Sequence, residues 1–447
     1  MMTDTPDRPT RERSRAAQGK WEHRAALSLV LVATLCATDP VAAEFSMEPY
    51  IRVGPRYDSN PRYNTSRVDY ESAWGTLVDA RLPMEYRSPR ASVTLRPRLV
   101  YSFYPDEDEN DLEDRDKYLT GAANWLTRRS NIGASYGYTD LALRTSELQS
   151  AGDSSPGGSG ETRIFRDDTQ QRWYFQPYWQ YQFSGANSFT LNGGYEQVRY
   201  DEDFISRRFD YDYSSASAAF THAFNARHSA ALRATFTKFD SENAEARVQN
   251  DSETNSLSLI YTYAWSETTT LSADLGWART KNEVRRPNNI DPVTGPFCDP
   301  VFIIFFPCEF KSDSTNFVGN LTATKQSETV EYKFTIGQSI TPNSNGAEVL
   351  RFNIDAVARK QFTERVSGRL GIVAFTQNDV GDSDRNFERD YIRGMIRLNY
   401  RFARRWSIYG TYIHTFNDEQ NALFLDRTVR NHFVSMGVTF QGDGWRW

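Results

Sequence analysis

Histidine and serine are the residues of this chain that could support nucleophilic catalysis, but their spacing does not favour it. Beyond residue 43 the chain has only His222, His228, His414 and His432. His228 precedes Ser229 directly, and sequence neighbours on a strand point to opposite faces, so the two cannot act together as base and nucleophile. The sequence has no glycine-rich phosphate loop, zinc-ligand spacing or haem motif. We therefore predict no enzyme, no cofactor and no metal site.

Arginine is the second residue type that could have a chemical function. It is abundant, because the chain has 44 arginines and 8 lysines. A guanidinium group binds carboxylates and phosphates in a bidentate manner. If the apolar side of each extended segment meets lipid, the opposite side carries the predicted pore-lining residues Arg96, Arg98, Arg233, Lys333, Arg351, Asp355, Arg369, Arg393 and Arg397.

This excess of positive charge predicts a conduit that concentrates anions and repels cations. Two alternatives stay open. The arginines could pair with acidic residues and stiffen a wall, or their number could reflect genomic base composition.

The last residues with distinctive chemistry are Cys298 and Cys308, which lie in a long predicted outer loop over residues 284–313. Two cysteines in an exported chain predict one disulfide, with a zinc site as the alternative. The apolar residues between them would not be stable on an exposed loop. We expect them to enter a lumen as a plug, lie on the outer leaflet, dock a partner or form a small satellite strand pair. They are Phe302, Ile303, Ile304, Phe305 and Phe306.

The amino terminus predicts export. An apolar run over residues 25–37 follows six Lys/Arg residues and is succeeded by Val41-Ala42-Ala43. This layout is typical of a signal peptide over residues 1–43, and a buried cytosolic helix is the weaker alternative. Leu35 before Cys36 argues against a lipid anchor. The mature chain would be residues 44–447.

Alternating apolar and polar residues, rather than a helical period, run through this mature chain. Between Tyr391 and Phe402, for example, Ile392 and Ile396 fall on one face and Arg393 and Arg397 on the other. A mean hydropathy of -0.65 excludes a bundle of membrane helices. The 14% aromatic content is too high for a disordered chain.

The pattern predicts about eighteen strands, with 16 to 18 as the range, beginning at residues 45–57 and 72–87. Short turns alternate with longer polar links. Long strands joined in this way are typical of an all-β, transmembrane, up-and-down antiparallel β-barrel, and a soluble secreted β-protein is the alternative. Aromatic residues near strand ends would form two interfacial belts; they include Tyr118, Phe183, Phe224, Trp265, Trp277, Phe402 and Trp406.

The chain resembles outer-membrane barrels of the putative beta-barrel porin 2 type. The resemblance lies in Glu48 to Pro61, in residues 125–138 (WLTRRSNIGASYGY) and in the closing strand. It implies a place in the Gram-negative outer membrane among lipid and lipopolysaccharide. Because this group is often linked with exopolysaccharide export, the resemblance also implies periplasmic export proteins as partners. No nucleic-acid partner is expected.

The closing strand further resembles the signal read by the barrel-assembly machinery, with Ser435, Gly437 and Phe440 at its polar, glycine and aromatic positions. Three functions stay open at this point. They are a porin-like conduit for hydrophilic, mainly anionic solutes, an exit barrel for an exopolysaccharide, and a non-conducting structural or adhesion barrel.

Overall fold

The computed structural model describes residues 43–61, 63, 72–105, 114–142, 169–200, 209–243, 248–286, 290–291, 295–296, 308–343, 346–380, 387–421 and 424–446. Secondary structure over these ranges consists of strands and turns, without a helix. None of the described elements is a helix that is long and apolar enough to cross a membrane.

Twenty-three strands are present in the described ranges. In chain order they are β1 (Glu44–Met47), β2 (Tyr50–Asp58), β3 (Ala73–Arg81), β4 (Met84–Arg87), β5 (Ala91–Phe103), β6 (Asp114–Leu126), β7 (Ser130–Ala142), β8 (Thr169–Gln182), β9 (Asn187–Tyr200), β10 (Asp210–Ala223), β11 (His228–Asn243), β12 (Val248–Ser266), β13 (Thr269–Arg286), β14 (Ile290–Asp291), β15 (Gly295–Pro296), β16 (Cys308–Gln326), β17 (Val330–Pro342), β18 (Glu348–Gln361), β19 (Val366–Asp379), β20 (Phe387–Arg401), β21 (Trp406–Asn421), β22 (Phe424–Gln441) and β23 (Trp445–Arg446).

Eighteen of these strands form one closed wall. They are all except β1, β4, β14, β15 and β23, and each pairs antiparallel with its neighbours in sequence. The last wall strand, β22, pairs with the first, β2, from Tyr50↔Gln441 to Asp58↔Phe433. Closure leaves the sheet without a free edge. The predicted all-β up-and-down antiparallel barrel is confirmed.

Proline residues divide the first two predicted strands, so the expected continuous strands over residues 45–57 and 72–87 are wrong in detail. Proline has no backbone N–H to donate to a ladder. Pro49 separates β1 from β2, and Pro83 separates β3 from β4. At the end that carries the short turns, β1 pairs with β4 on one side and with β23 on the other, and β4 continues the pairing with β5.

The two faces of the wall differ as the alternation predicts. On β20, Ile392 and Ile396 are about half exposed on the outside, whereas Arg393 on the inner face is 2% exposed. Buried apolar side chains cluster on the inner face too, as Val198, Tyr211 and Phe239 do. The barrel is therefore filled partly by its own inward side chains rather than by a separate core.

Large aromatic side chains are exposed on the outer face near both ends of the apolar band. Trp277 and Phe317 lie on the long-loop side, and Phe183, Trp265 and Trp406 lie on the short-turn side. Tyr118 is an exception to the prediction. It occupies an inward position, and the guanidinium carbon of Arg98 lies 4.8 Å from its ring centroid.

The long loop between β13 and β16 is shorter than the predicted outer loop of residues 284–313. Pairing between β13 and β16 continues to Arg286↔Cys308, so residues 284–286 and 308–313 belong to strands. The loop itself covers residues 287–307, within which β14 pairs with β15. Cys298 and the apolar run Phe302, Ile303, Ile304, Phe305 and Phe306 lie outside the described residues, as does the signal segment up to residue 42. The disulfide and the plug therefore stay predictions.

Candidate functional site

The structure places the predicted pore-lining residues on the inner face, at positions that alternate with exposed apolar residues. Arg393 and Arg397 alternate with Ile392, Ile396 and Leu398, which are all exposed on the outer face. The same alternation puts the others inside, on five further strands; they are Arg96, Arg98, Arg233, Lys333, Arg351, Asp355 and Arg369.

Several inner arginines pair with carboxylates across the strands, as a stiffened wall would require. Arg233 contacts Asp274, which lies two strands away on β13. Arg172 donates to Glu196 from Nη2 to Oε2 at 2.8 Å. Arg359 donates to Glu331, its cross-strand neighbour, at 3.0 Å. The stiffening alternative thus accounts for part of the arginine content.

Other predicted residues have different surroundings. The guanidinium carbon of Arg351 lies 3.7 Å from the centroid of the Phe375 ring, and Asp355 accepts a hydrogen bond from Asn353 at 2.5 Å. Arg96 and Lys333 are exposed. These two make no ion pair with any described part of the chain.

Three arginines lie side by side in one cross-strand row. Arg359 on β18 is directly opposite Arg369 on β19, which is directly opposite Arg397 on β20. Like charges at directly opposite positions repel each other and are destabilising in a sheet. The pairing of Arg359 with Glu331 reduces this repulsion at one end of the row, whereas Arg397 at the other end has no ion pair with a described residue.

Asp79 on β3 is the centre of a second arginine cluster. Arg81 Nε and Nη2 donate to its two carboxylate oxygens at 3.0 and 2.7 Å, and Arg98 does the same at 2.9 and 3.1 Å. Arg52 Nη1 lies 3.9 Å from the same carboxylate. Arg81 and Arg98 are directly opposite each other in the β3–β5 ladder. One buried carboxylate thus holds two opposed guanidinium groups.

Arg52 links this cluster to the row of three arginines, and sequence reasoning missed it. Its guanidinium carbon lies 4.4 Å from the centroid of the Tyr409 ring on β21. Two residues further along β21, Thr411 accepts a hydrogen bond from Arg397 Nε at 3.0 Å. Arg52, Arg81 and Arg369 are the cationic neighbours of Arg397. The alternation of apolar Ile51 and Val53 with Arg52 could have predicted the inward position of Arg52.

The opposite wall of the lumen is lined mainly by hydroxyl groups, and the arginine on it, Arg233, is paired with Asp274. Inward positions of β10 to β12 carry Ser215, Ser217, Thr235, Ser256 and Ser258. An arginine-rich side facing a neutral polar side produces an electric field across the lumen. No cluster of His, Cys, Asp or Glu suited to a metal ion occurs in the described ranges.

A short connection between β17 and β18 folds into the lumen at the long-loop end. The carbonyl oxygen of Gly346 accepts hydrogen bonds from Ser241 Oγ at 2.9 Å and from Asn250 Nδ2. Ser241 and Asn250 belong to β11 and β12, which are several strands away around the wall. Gly346 has φ 77° and packs against Phe209, so a side chain at this position would be strained.

Glu348 completes this inward connection. Its carboxylate accepts hydrogen bonds from Ser252 Oγ at 2.5 Å and from Thr254 Oγ1 at 2.9 Å. Outward positions of β12 beside these residues are the polar Glu253 and Asn255, so the contact lies beyond the apolar band. Burial raises the pKa of Glu348, while the two hydroxyl donors act in the opposite direction.

A second inward segment lies on the inner face of β22. The backbone N–H of Asn60 donates to Asn431 Oδ1 at 3.2 Å, and Asn60 Nδ2 donates to the carbonyl of Arg430 at 3.2 Å. Arg427 donates to the carbonyl of Tyr63 at 3.0 Å. Asn60 and Tyr63 are almost completely buried. Two connections therefore narrow the long-loop end, neither of them the predicted plug.

The three residues of the predicted assembly signal lie along the seam where β22 meets β2. Ser435 faces the lumen opposite Arg56, and Phe440 packs outside against Trp406 with ring centroids 5.0 Å apart. Gly437 lies against the backbone of Gly54, and a Cβ on either glycine would overlap the other strand. The role of these residues in assembly stays a prediction.

Comparisons with known proteins give no family. No family model matches the chain, and no curated protein matches it. Among solved structures, the chain is similar to the ferric-catecholate import receptor Fiu from E. coli K12 in its open form, with 7% identity, coverage of 89% of this chain and 81% of that chain, and a TM-score of 0.46. It is also similar to the ferric citrate transporter FecA, with 8% identity, 89% and 78% coverage and a TM-score of 0.45. For the siderophore receptor PiuA from Acinetobacter baumannii the values are 9%, 89%, 82% and 0.41. Similarities at this level carry no inference about function.

Proposed function

We propose that the chain is an outer-membrane barrel of the porin kind, whose lumen conducts hydrophilic anions. The observation that carries the proposal is the inward, directly opposed pair of Arg369 and Arg397, with Arg52 and Arg81 beside it. Arginines gathered in this way raise the local concentration of anions and repel cations. In this proposal the short-turn end faces the periplasm.

The outer face supports a membrane location. Leucine, isoleucine and aromatic side chains are exposed there on strand after strand, and Leu232, Leu259 and Leu275 are each about half exposed. Water would not favour so continuous an apolar surface, whereas lipid would. A closed wall also pairs the backbone groups that hydrocarbon could not satisfy. Lipid, lipopolysaccharide and the barrel-assembly machinery are the partners that this location implies.

Ion selectivity in planar lipid bilayers tests the proposal directly. The mature chain would be inserted from detergent between two chambers that hold different KCl concentrations, and the reversal potential would be measured. We expect a reversal potential of the sign for chloride over potassium. A cation-selective pore, or a membrane without channel currents at any voltage, would overturn the proposal, and the second result would favour a non-conducting barrel.

An exit barrel for an exopolysaccharide is the second candidate. The observation that favours it is the narrowing of the long-loop end by Gly346, Glu348, Asn60 and Tyr63, because a polymer exit needs a gate against other solutes. An acidic sugar polymer would also be attracted by the arginine wall. Anion-selective currents that an acidic oligosaccharide blocks from the short-turn side alone would favour this candidate over a general conduit.

A further inference from the structure

Arg397 is a half-buried cation on the inner wall that has no carboxylate partner in the described part of the chain. Its Nε donates to Thr411 Oγ1 at 3.0 Å, which fixes the orientation of the guanidinium group. Its two Nη groups make no hydrogen bond or ion pair with described residues. Arg369 lies directly opposite, and Arg52 and Arg81 are further cationic neighbours. Repulsion among these groups favours the binding of an anion between them.

The same chain contains a filled example of this arrangement. Arg81 and Arg98 are also directly opposite each other, and the carboxylate of Asp79 lies between them with four hydrogen bonds of 2.7 to 3.1 Å. Two opposed arginines on neighbouring wall strands can therefore hold one carboxylate between them. At Arg369 and Arg397 the backbone arrangement is repeated, but Arg397 has only a threonine hydroxyl as partner.

We propose that Arg397, together with Arg369 and Arg52, forms a binding subsite for the carboxylate group of a solute inside the lumen. The two Nη groups of Arg397 donate to the carboxylate, and the neighbouring arginines lower its electrostatic energy. This proposal rests on the proposed conduit for anions and names the chemical class of its solute. It also gives the opposed like charges of Arg369 and Arg397 a role.

The stacking of Arg52 on Tyr409 contributes to the subsite by holding a second guanidinium group in a fixed place. Arg52 is 7% exposed, and its Nη2 also donates to the Tyr50 hydroxyl at 2.5 Å. A guanidinium held by stacking and hydrogen bonds loses little side-chain entropy when an anion binds. The subsite is therefore organised before the solute arrives.

Titration calorimetry on the full mature chain in detergent tests the subsite without requiring conduction. The probe is succinate, a dicarboxylate, in a buffer low in chloride, and inorganic phosphate is titrated in parallel. We expect Arg397→Gln to weaken succinate binding by about 10- to 100-fold, which is the usual effect of removing a charge-assisted hydrogen-bonding group. Arg397→Lys keeps the charge but loses the planar fork, and an intermediate loss is expected.

Arg359→Gln is the matched control, because Arg359 stands in the same row and loses the same charge but is already paired with Glu331. We expect it to bind succinate within about twofold of the wild type, since Glu331 compensates the charge of Arg359 and Arg359 lies two strands away from Arg397. Equal losses in Arg359→Gln and Arg397→Gln would overturn the subsite in favour of a diffuse field. Wild-type affinity in Arg397→Lys would also overturn it.

The outcomes separate this subsite from the proposed conduit. Anion-selective currents without succinate binding leave the conduit standing and overturn the subsite. Succinate binding that depends on Arg397 in a chain that never conducts supports the subsite and overturns the conduit. Binding of phosphate with equal dependence on Arg397 and without succinate binding would overturn the assignment to carboxylates.

Discussion

The carboxylate of Glu348, at the start of β18, accepts a hydrogen bond from the hydroxyl of Ser252 on β12 at 2.5 Å. Strands β13, β16 and β17 separate these two strands around the wall, so the contact spans part of the lumen. Thr254 donates to the same oxygen, and Gly346 is held by Ser241 next to it. The connection between β17 and β18 is thus anchored at its inner end.

Replacement of Glu348 by alanine should open this end of the lumen. The change removes two hydrogen bonds to a buried carboxylate, each worth about 1.5–3 kcal/mol in general, so the connection should leave the inner wall more often. We expect a larger mean single-channel conductance in planar bilayers. Glu328→Ala, in an exposed short turn at the other end, is the control and should conduct like the wild type. Identical conductance in Glu348→Ala would show that the connection does not obstruct the path.

The current should depend on pH because the same contact involves the carboxyl group of Glu348. Burial raises the pKa of Glu348 when the connection is docked, so docking favours the protonated carboxyl. Stability of the docked form is then fully present below the ordinary pKa of a free glutamate and is lost as the pH rises through the raised value. We expect conductance to increase with pH across that interval. Glu348→Gln should remove this dependence, and a pH dependence that persists in Glu348→Gln would assign it to other groups.

The sequence predicts the wall well because one face of each strand is apolar and the other polar, as with Ile392 and Arg393. It fails where strands extend beyond the apolar band. Residues 418–431 are one of the longer polar links that the sequence predicts between strands, yet Asp418↔Thr428 and Glu419↔Arg427 continue the β21–β22 ladder. Polar residues on both faces of a strand have no period that distinguishes them from a loop.

Contacts across the lumen are the second kind of feature that sequence could not predict. Alternation predicts that Arg397 lies on the inner face, but its position opposite Arg369 depends on the register between β19 and β20. A shift of one residue would have turned either side chain to the other face. Glu348 gave no signal at all, because nothing in the residues around it marks a contact with β12.

The seam between β2 and β22 should tolerate no added side chain at Gly437. A Cβ there would overlap the carbonyl oxygen of Val53, and Pro55 already leaves a gap in the ladder between Val53↔Val438 and Arg56↔Ser435. Gly437→Ala should therefore lower the fraction of chain that folds into lipid vesicles, measured by the electrophoretic mobility of unheated samples. Gly410→Ala is the matched control because its Cβ would meet nothing within 4 Å. Equal folded fractions would show that the seam adjusts without cost.

Adjacent residues on β9 give a test of the lipid-facing side. Leu191 is exposed on the outer face, and its neighbour Asn192 is exposed on the inner face, where it donates to Ser217. An arginine on the lipid face of a barrel costs about 2–4 kcal/mol at the membrane midplane and less towards its surface. Leu191→Arg should lower the free energy of unfolding from vesicles in guanidinium, whereas Asn192→Arg should change it by less than about 1 kcal/mol. The reverse order would indicate that the face with Asn192, and not the face with Leu191, contacts lipid.

Asp79 should act both on the stability of the barrel and on its affinity for anions. Replacement by asparagine leaves the shape of the side chain intact but removes the charge that Arg52, Arg81 and Arg98 share. Arg52 is buried, so its charge would lack compensation, while Arg81 and Arg98 have partial access to water that reduces the penalty.

We expect Asp79→Asn to lower the free energy of unfolding by about 1–3 kcal/mol. The reversal potential should also move further towards that of chloride. Asp274→Asn is the control because it releases one arginine, the partly exposed Arg233, rather than three, and its effects on both measurements should be smaller. An Asp79→Asn barrel with wild-type stability and selectivity would mean that water in the lumen screens the cluster, and that its arginines do not form one electrostatic unit.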